Sequence, residues 1–463
     1  MGKVEESRES HEEPRLGEGP ANPRQLAFKI LCRVHRQGAY LNLLLRYGMP
    51  PGNMDPRDRA LVSDICYGVE RYRNTLDFTI SKLSSRPLSR IHRDLLEFLR
   101  IGVYQLAFTD IPAYAAIHET VEAAKGHLHR GNLGFLNALL RRAAEHPTAA
   151  ALPGVDNLRE YLEITLSYPR WLVDYVLELY SPVDALELFR AQNRKAGLTL
   201  RCNTYRTDTQ SLLSRLKEAG GRGRPSQVFG DALEEVELPF EVLVELIGEG
   251  LCLVQDLASM AVCRVVDPGP GMRVIDACAA PGGKTAYLAQ LGGPGCRVVA
   301  VDLSTSRLKA LEKTVSLLAL ENVEIIPGDA RRLRDFAGEA DAVLVDAPCS
   351  GLGTLSRNPD LKWRRTPEDL PRMGDLQLEL LLGAAGAVRP GGVLVYSVCT
   401  YSEEETVKVV EEFLGRRPDF SPEDIAPFLP PTWREDSHRG SVQLLPHRHG
   451  TEGMYIARLR RSP

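Results

Sequence analysis

At 463 residues, 43% of them hydrophobic and 25% charged, the chain has the composition of an ordinary globular protein and more length than one core uses, so two or three domains are expected. The formal net charge of −4 excludes a uniformly basic nucleic-acid coat but not a basic stretch offset by acidic neighbours. Nine cysteines, odd in number and without a C-x-x-C pair, argue against a disulfide framework or a zinc site and for a reducing cytoplasm, and nothing has the apolar length that secretion or a membrane span needs.

Residues 1–20 are polar, with Gly and Pro, and are expected to form a disordered tail. From Asn22 to about His146 the apolar period is helical. Ala27, Ile30, Leu31 and Val34 recur at helical spacing, as do Leu95, Leu96, Leu99 and Val103. Pro112 starts a helix over Ala113–Ala124, and Gly134–Leu140 lies in another, giving an all-α domain over 21–146. Residues 21–145 hold 18 Lys and Arg against 11 Asp and Glu; Arg57, Arg59, Arg71, Arg73, Arg86, Arg90, Arg93, Arg100, Arg130, Arg141 and Arg142 contribute. Such an excess suits an RNA-docking face, with a merely solvated helical surface as the equal alternative.

Residues 147–160, with Pro147, Pro153 and Gly154, read as a linker. Over 161–257 helices and strands alternate in a small α+β module: a strand at Leu198–Asn203, a helix over Asp208–Ala219, and later strands holding Val228 and Leu251–Gln255. Over 258–463 the pattern is that of a doubly wound, Rossmann-like α/β domain. Strands are expected at 273–277, 297–301, 323–326, 342–346 and 392–398, with helices near 284–291, 304–318, 373–388 and 403–414. Val442–Leu445 and Met454–Leu459 form a closing antiparallel pair.

The first strand of that domain runs into a glycine turn, Cys278-Ala279-Ala280-Pro281-Gly282-Gly283-Lys284, where the backbone can pass close under a ligand. Asp302, at the end of the second strand, fits ribose hydroxyls, and Asp329, at the end of the third, suits an adenine amino group. Singly each Asp is an ordinary turn former; in this order they point to an adenosine-bearing cofactor. The loop is not G-x-G-x-x-G and lacks the usual alignment of a helix on a pyrophosphate, which favours S-adenosylmethionine over NAD. Lys284 either approaches the ligand or is a surface lysine.

Two cysteines end consecutive strands, in Asp346-Ala347-Pro348-Cys349-Ser350-Gly351 and Ser397-Val398-Cys399-Thr400. A methyl donor beside two thiols suits pyrimidine C5 methylation, because C5 becomes nucleophilic only after a thiolate adds at C6. The other cysteines, Cys32, Cys66, Cys202, Cys252, Cys263 and Cys296, read as small buried hydrophobes. Arg357, Lys362, Trp363, Arg364 and Arg365 form a basic, aromatic stretch suited to single-stranded RNA, with Arg331, Arg332 and Arg334 adding charge. Core packing is the equal alternative for Trp363.

The glycine turn, the Asp346–Gly351 segment and Asn358-Pro359-Asp360-Leu361-Lys362-Trp363 together resemble the RNA cytosine-C5 methyltransferases. The helical region resembles the antitermination factor NusB, notably in Ile111–Glu119 and Gly134–Arg142. The pairing, over 22–461, is similar to the bacterial ribosomal RNA small-subunit methyltransferases of the B type. The resemblance implies that Cys278, Ala279, Ala280, Pro281, Gly282, Gly283, Lys284, Asp302, Asp329 and Asp346 bind S-adenosylmethionine. It also implies Cys399 as nucleophile, Cys349 for proton removal or release, and cytidine 967 of 16S ribosomal RNA as target; Asp346 would stabilise charge on the ring. The chain departs from the pattern at Val398, where relatives often have Thr, and at Glu403-Glu404-Glu405-Thr406, where they have Pro-Glu-Glu-Asn. Transfer RNA as substrate, and an RNA-binding assembly or antitermination factor with a dead catalytic module, are the other readings. No metal, membrane or named protein partner is expected.

Overall fold

The computed structural model describes residues 22–48, 54–146 and 152–463; the expected tail and the first part of the expected linker, 147–151, lie outside the described residues. The chain forms two compact bodies. One runs to Phe189 and also takes in Asn358–Arg364; the other comprises Arg190–Arg357 and Arg365–Pro463.

The first body is helical: α1 (Pro23–Gln37), α2 (Leu41–Tyr47), α3 (Pro56–Arg71), α4 (Arg73–Leu83), α5 (Arg93–Phe108), α6 (Ala113–Ala124) and α7 (Arg130–Glu145). The Asn22 side chain caps α1 by accepting from Arg24 N at 2.9 Å, with Pro23 in the first turn, where no N–H is missed. The apolar stripes expected on α1 and α5 bury Ala27, Ile30, Leu31, Leu95, Leu99 and Val103 in one core. Arg100 is not a surface cation. It is 5% exposed and donates to both Asp77 oxygens at 2.7 Å and to Glu97 at 2.8 Å. Beside it His35 bridges Glu70 and Glu97; burial alone would lower the imidazole, but the two carboxylates outweigh it and hold it at about 9.

Within the short segment Asn358–Arg364 the structure corrects the RNA-reading expectation for Lys362, Trp363 and Arg364. Lys362 is 1% exposed, its Nζ donates to Arg71 O at 2.8 Å and it stands 4.1 Å over the Tyr168 ring. Trp363 Nε1 donates to Glu70 O at 2.7 Å, and Arg364 donates to Ala39 O at 2.8 Å. These donors are taken by backbone carbonyls, so the packing alternative holds for Trp363 and extends to its neighbours.

In the second body a small sheet has the order β2 (Arg222–Pro225), β3 (Ala232–Glu237), β1 (Leu198–Cys202), β4 (Cys252–Val254). Val228 lies in a bend between β2 and β3 rather than in a strand. The larger sheet follows the expected doubly wound pattern. β5 (Arg273–Asp276), β6 (Arg297–Asp302), β7 (Val323–Pro327), β8 (Ala340–Asp346) and β9 (Val388–Val398) run parallel in the order β7-β6-β5-β8-β9. After β10 (Phe420–Pro422), β11 (Ser437–His438), β12 (Ser441–Leu444) and β13 (Met454–Arg461) close it antiparallel, β13 against β9. The order reverses on either side of β5, which opens a crevice beyond the carboxyl ends of β5 and β8. Near-continuous apolar runs such as Val298–Val301 and Val343–Val345 are buried, as strands covered on both faces require. Among the described residues no helix is long and apolar enough to cross a membrane.

Candidate active site

At that crevice lies a cleft of about 290 Å³ lined in part by Cys278, Ala279, Ala280, Pro281, Gly283, Lys284 and Asp346. Gly282 makes the turn possible: its φ is +106°, and a Cβ there would stand 3.0 Å from Leu311. The loop is pinned by backbone bonds from Ala277 N to Leu344 O at 2.8 Å and from Ala279 N to Val301 O at 2.9 Å. Asp302 is buried and accepts from Ala280 N at 3.1 Å and Ser304 N at 2.9 Å, so it shapes the loop from beneath. Asp329 accepts from Arg331, whose guanidinium holds it below the usual carboxylate range. Asp302, Asp329 and Gly282 do not line the cleft.

Asp276 does, though it was not singled out from the sequence. Its Oδ2 accepts from Thr285 at 2.7 Å, and burial, offset only in part by Thr285, pushes its carboxyl up to about 7. Among the described residues no partner reaches Asp276 Oδ1 or the Gln255 Nε2 that lines the same cleft. An unpartnered acceptor and an unpartnered donor in one buried cleft fit a ligand carrying both charges, as the amino-acid end of S-adenosylmethionine does. The other end of the Gln255 amide accepts from Arg201, a fully buried cation on β1 that also donates to Gly283 O at 2.9 Å. Arg357, expected to meet RNA, instead lies on the cleft wall. Its Nε is 2.7 Å from Glu452 and its Nη2 3.5 Å from Asp256, and burial, with Asp256 beside it, raises Glu452 to about 7.

Lys284 is no surface lysine. Its Nζ donates to Asp346 Oδ2 at 2.7 Å; burial works against the ammonium, but Asp346 outweighs it and keeps the charge. Ser397, paired with Asp346 across β8 and β9, donates to the other oxygen at 2.8 Å. Just beyond those strand ends the Cys349 and Cys399 sulfurs are 3.1 Å apart. The hydrogen bond with Cys399, then burial, pushes the Cys349 thiol well up. Arg365 donates to Ser350 O at 2.8 Å and Cys349 O at 3.3 Å, which fixes the first thiol's loop rather than reading RNA. Gly353 N donates to Cys399 O at 3.0 Å, fixing the second. All nine cysteines are free; Cys66, Cys202, Cys252, Cys263 and Cys296 are buried, and burial raises each of those five thiols.

Residues 263–460 match the family described as 16S rRNA methyltransferase RsmB/F, residues 21–145 the NusB family, and residues 168–239 the ferredoxin-like domain of RsmF/B-like methyltransferases. The probable ribosomal RNA small subunit methyltransferase B of Bacillus subtilis is 31% identical over 95% of this chain and 98% of its own length. The Klebsiella pneumoniae ribosomal RNA small subunit methyltransferase B is 32% identical over 86% of this chain and 90% of its own. The crystal structure of PH0851 superposes with a TM-score of 0.77 at 27% identity, covering 96% of this chain and all (100%) of its own. NSun6 from Pyrococcus horikoshii, solved with the S-adenosylmethionine analogue SFG, gives 0.57 at 25% identity over 65% of this chain and 100% of its own.

Proposed function

Since the chain belongs to the ribosomal RNA small subunit methyltransferase B family, and is an S-adenosylmethionine-dependent methyltransferase, we propose that it methylates C5 of a cytidine in 16S ribosomal RNA through a covalent bond from Cys399 to C6. Cytidine 967 is the target that the family resemblance implies. The reading rests above all on the pair of sulfurs 3.1 Å apart beside the Lys284–Asp346 ion pair.

Attack by the Cys399 thiolate forms the S–C6 bond and moves a ring electron pair toward C5. Asp346 accepts from the cytosine amine while Lys284 and Ser397 hold its carboxylate in one orientation, so charge developing on the ring meets groups already aligned. The cofactor, held by the 278–284 loop with Asp302 beneath it, supplies an electrophilic methyl group. Loss of the C5 proton to a base then returns the electron pair to the ring and expels the Cys399 sulfur. The Cys349 thiol keeps its proton and lies 3.1 Å from the departing sulfur, so it can donate a hydrogen bond that stabilises the Cys399 thiolate as it leaves. The target base must leave its stack to reach the thiol, so a loop or a flipped nucleotide is the expected substrate. The helical body, with its basic excess, docks the RNA in the cytoplasm.

The two alanine variants distinguish the roles. Cys399→Ala should form no RNA adduct and no product. Cys349→Ala should methylate once and stall, leaving a protein–RNA band that survives denaturing electrophoresis. The reverse pattern would make Cys349 the nucleophile, and bisulfite sequencing of total RNA with and without the protein tests the base and the site.

A further inference from the structure

Glu405 follows β9 in the run where the chain departs from its relatives' Pro-Glu-Glu-Asn, and it is 0% exposed. Its Oε2 accepts from Ser350 N at 2.7 Å and from the Gln377 amide at 3.0 Å; its Oε1 accepts from the Ser402 hydroxyl at 2.7 Å. Its carbonyl accepts from the Tyr396 hydroxyl at 2.7 Å. Gln377 extends the grip, donating to Pro348 O at 2.9 Å and accepting from Tyr396 at 2.9 Å. Ser350 in turn shares a hydroxyl contact of 2.9 Å with Thr400. Ser350, next to Cys349, and Ser402, three residues past Cys399, therefore meet directly on one side chain, and Pro348, Tyr396 and Thr400 join the same network through Gln377, the Glu405 carbonyl and Ser350. Among the described residues no cation forms an ion pair with it; its partners are neutral donors, Ser350 N and the Ser402 hydroxyl from the two thiol-bearing loops and the Gln377 amide from the helix Asp369–Ala385. An ionised carboxylate only accepts, so three donors can meet on it without one having to reverse. Burying that charge is costly, and a hydrocarbon would fill the same space without fixing either loop's direction.

We propose that Glu405 is a positioning residue that sets the separation of the Cys349 and Cys399 sulfurs and, through it, the release of Cys399 from the base. The inference rests on the two-thiol reading above. Because it concerns a distance, it has a readout independent of methyl transfer. Diamide takes two electrons and two protons from a thiol pair; the pair closes to a disulfide and the azo compound becomes a hydrazine. The full-length protein without RNA or cofactor should form a Cys349–Cys399 disulfide, identified by peptide mapping, that Cys349→Ser abolishes.

Glu405→Ala should slow that cross-link by about tenfold or more, and slow single-turnover release of methylated RNA comparably, at unchanged S-adenosylmethionine affinity. Glu405→Gln keeps an acceptor for Ser350 and turns its amide toward the Ser402 hydroxyl, so it should restore both rates. Should Glu405→Ala fail to fold, Gln377→Ala leaves the carboxylate in place while cutting its tie to Pro348, and should slow the cross-link in the same direction. A folded Glu405→Ala, or in its absence a folded Gln377→Ala, that cross-links as fast as wild type overturns the proposal. A wild type that cross-links normally, slows on Glu405→Ala, yet never forms an RNA adduct overturns the catalytic reading and leaves the positioning role standing.

Discussion

Two aspartates at the glycine loop answer different questions. Asp302 takes two backbone N–H groups, and if it also holds the cofactor ribose, Asp302→Ala should weaken S-adenosylmethionine binding by about 1.5–3 kcal/mol, as calorimetry would read. Unchanged affinity in a folded variant would remove that role. Asp276, like Glu452, contributes a pH dependence. Its carboxyl, raised from 3.8 to about 7 by burial, stays protonated in the folded chain over a window where the unfolded chain has lost the proton. Its contribution to stability is therefore complete below 3.8 and declines as pH rises toward about 7, with a limiting slope of about 1.4 kcal/mol per pH unit. Asp276→Asn should remove that component, so urea titrations from pH 4 to 7 should show a flatter profile than wild type. A superimposable profile would mean that Asp276 ionises normally. Motif reading finds the loop and the thiols because glycine turns and strand-end cysteines leave local marks. It misses Asp276, Gln255 and Glu452, whose meaning is an unmatched or shared proton in a cleft assembled from three distant stretches.

At the level of elements, legibility followed burial. The strands of the large sheet are covered on both faces and print as apolar runs, so β5 to β9 lie close to their expected positions. β2 and β3 pair through charged edges, Arg222 with Glu237 and Arg224 with Glu234, and such strands carry no apolar run to read. Lys362, Trp363 and Arg364 escape a local reading for another reason: cationic and aromatic side chains serve a backbone carbonyl as well as a phosphate, and only tertiary packing says which. Trp363→Phe keeps the ring but strands Glu70 O, so it should lower the stability of the helical body by about 0.5–1.5 kcal/mol in denaturant titration. RNA affinity and its salt dependence should stay unchanged; a loss of RNA affinity without a loss of stability would restore the nucleic-acid reading.

For the whole molecule, a net charge of −4 hides a helical region with 18 basic and 11 acidic residues. Part of that excess is consumed internally, as Arg100 is, while Arg130 and Arg141 remain exposed. If those two meet phosphates, replacing both with Ala should reduce the slope of log affinity against log salt by about 1.4–1.8, with cofactor binding untouched. An unaltered slope would move the docking face elsewhere on the body. The closing strand has a consequence in time. β13 lies against β9 along Val393–Val398, Glu452 stands on the cleft wall, and Gly453 N donates at 2.9 Å to the carbonyl of Gly353, the residue whose own N–H holds Cys399. Glu452, Gly453 and β13 are translated well after Cys399. A nascent chain that already carries both thiols still lacks the strand that pairs with β9 and the N–H that holds Gly353, so the ribosome, itself built on the class of RNA for which this family is named, must finish β13 before the sheet beside the two thiols can close.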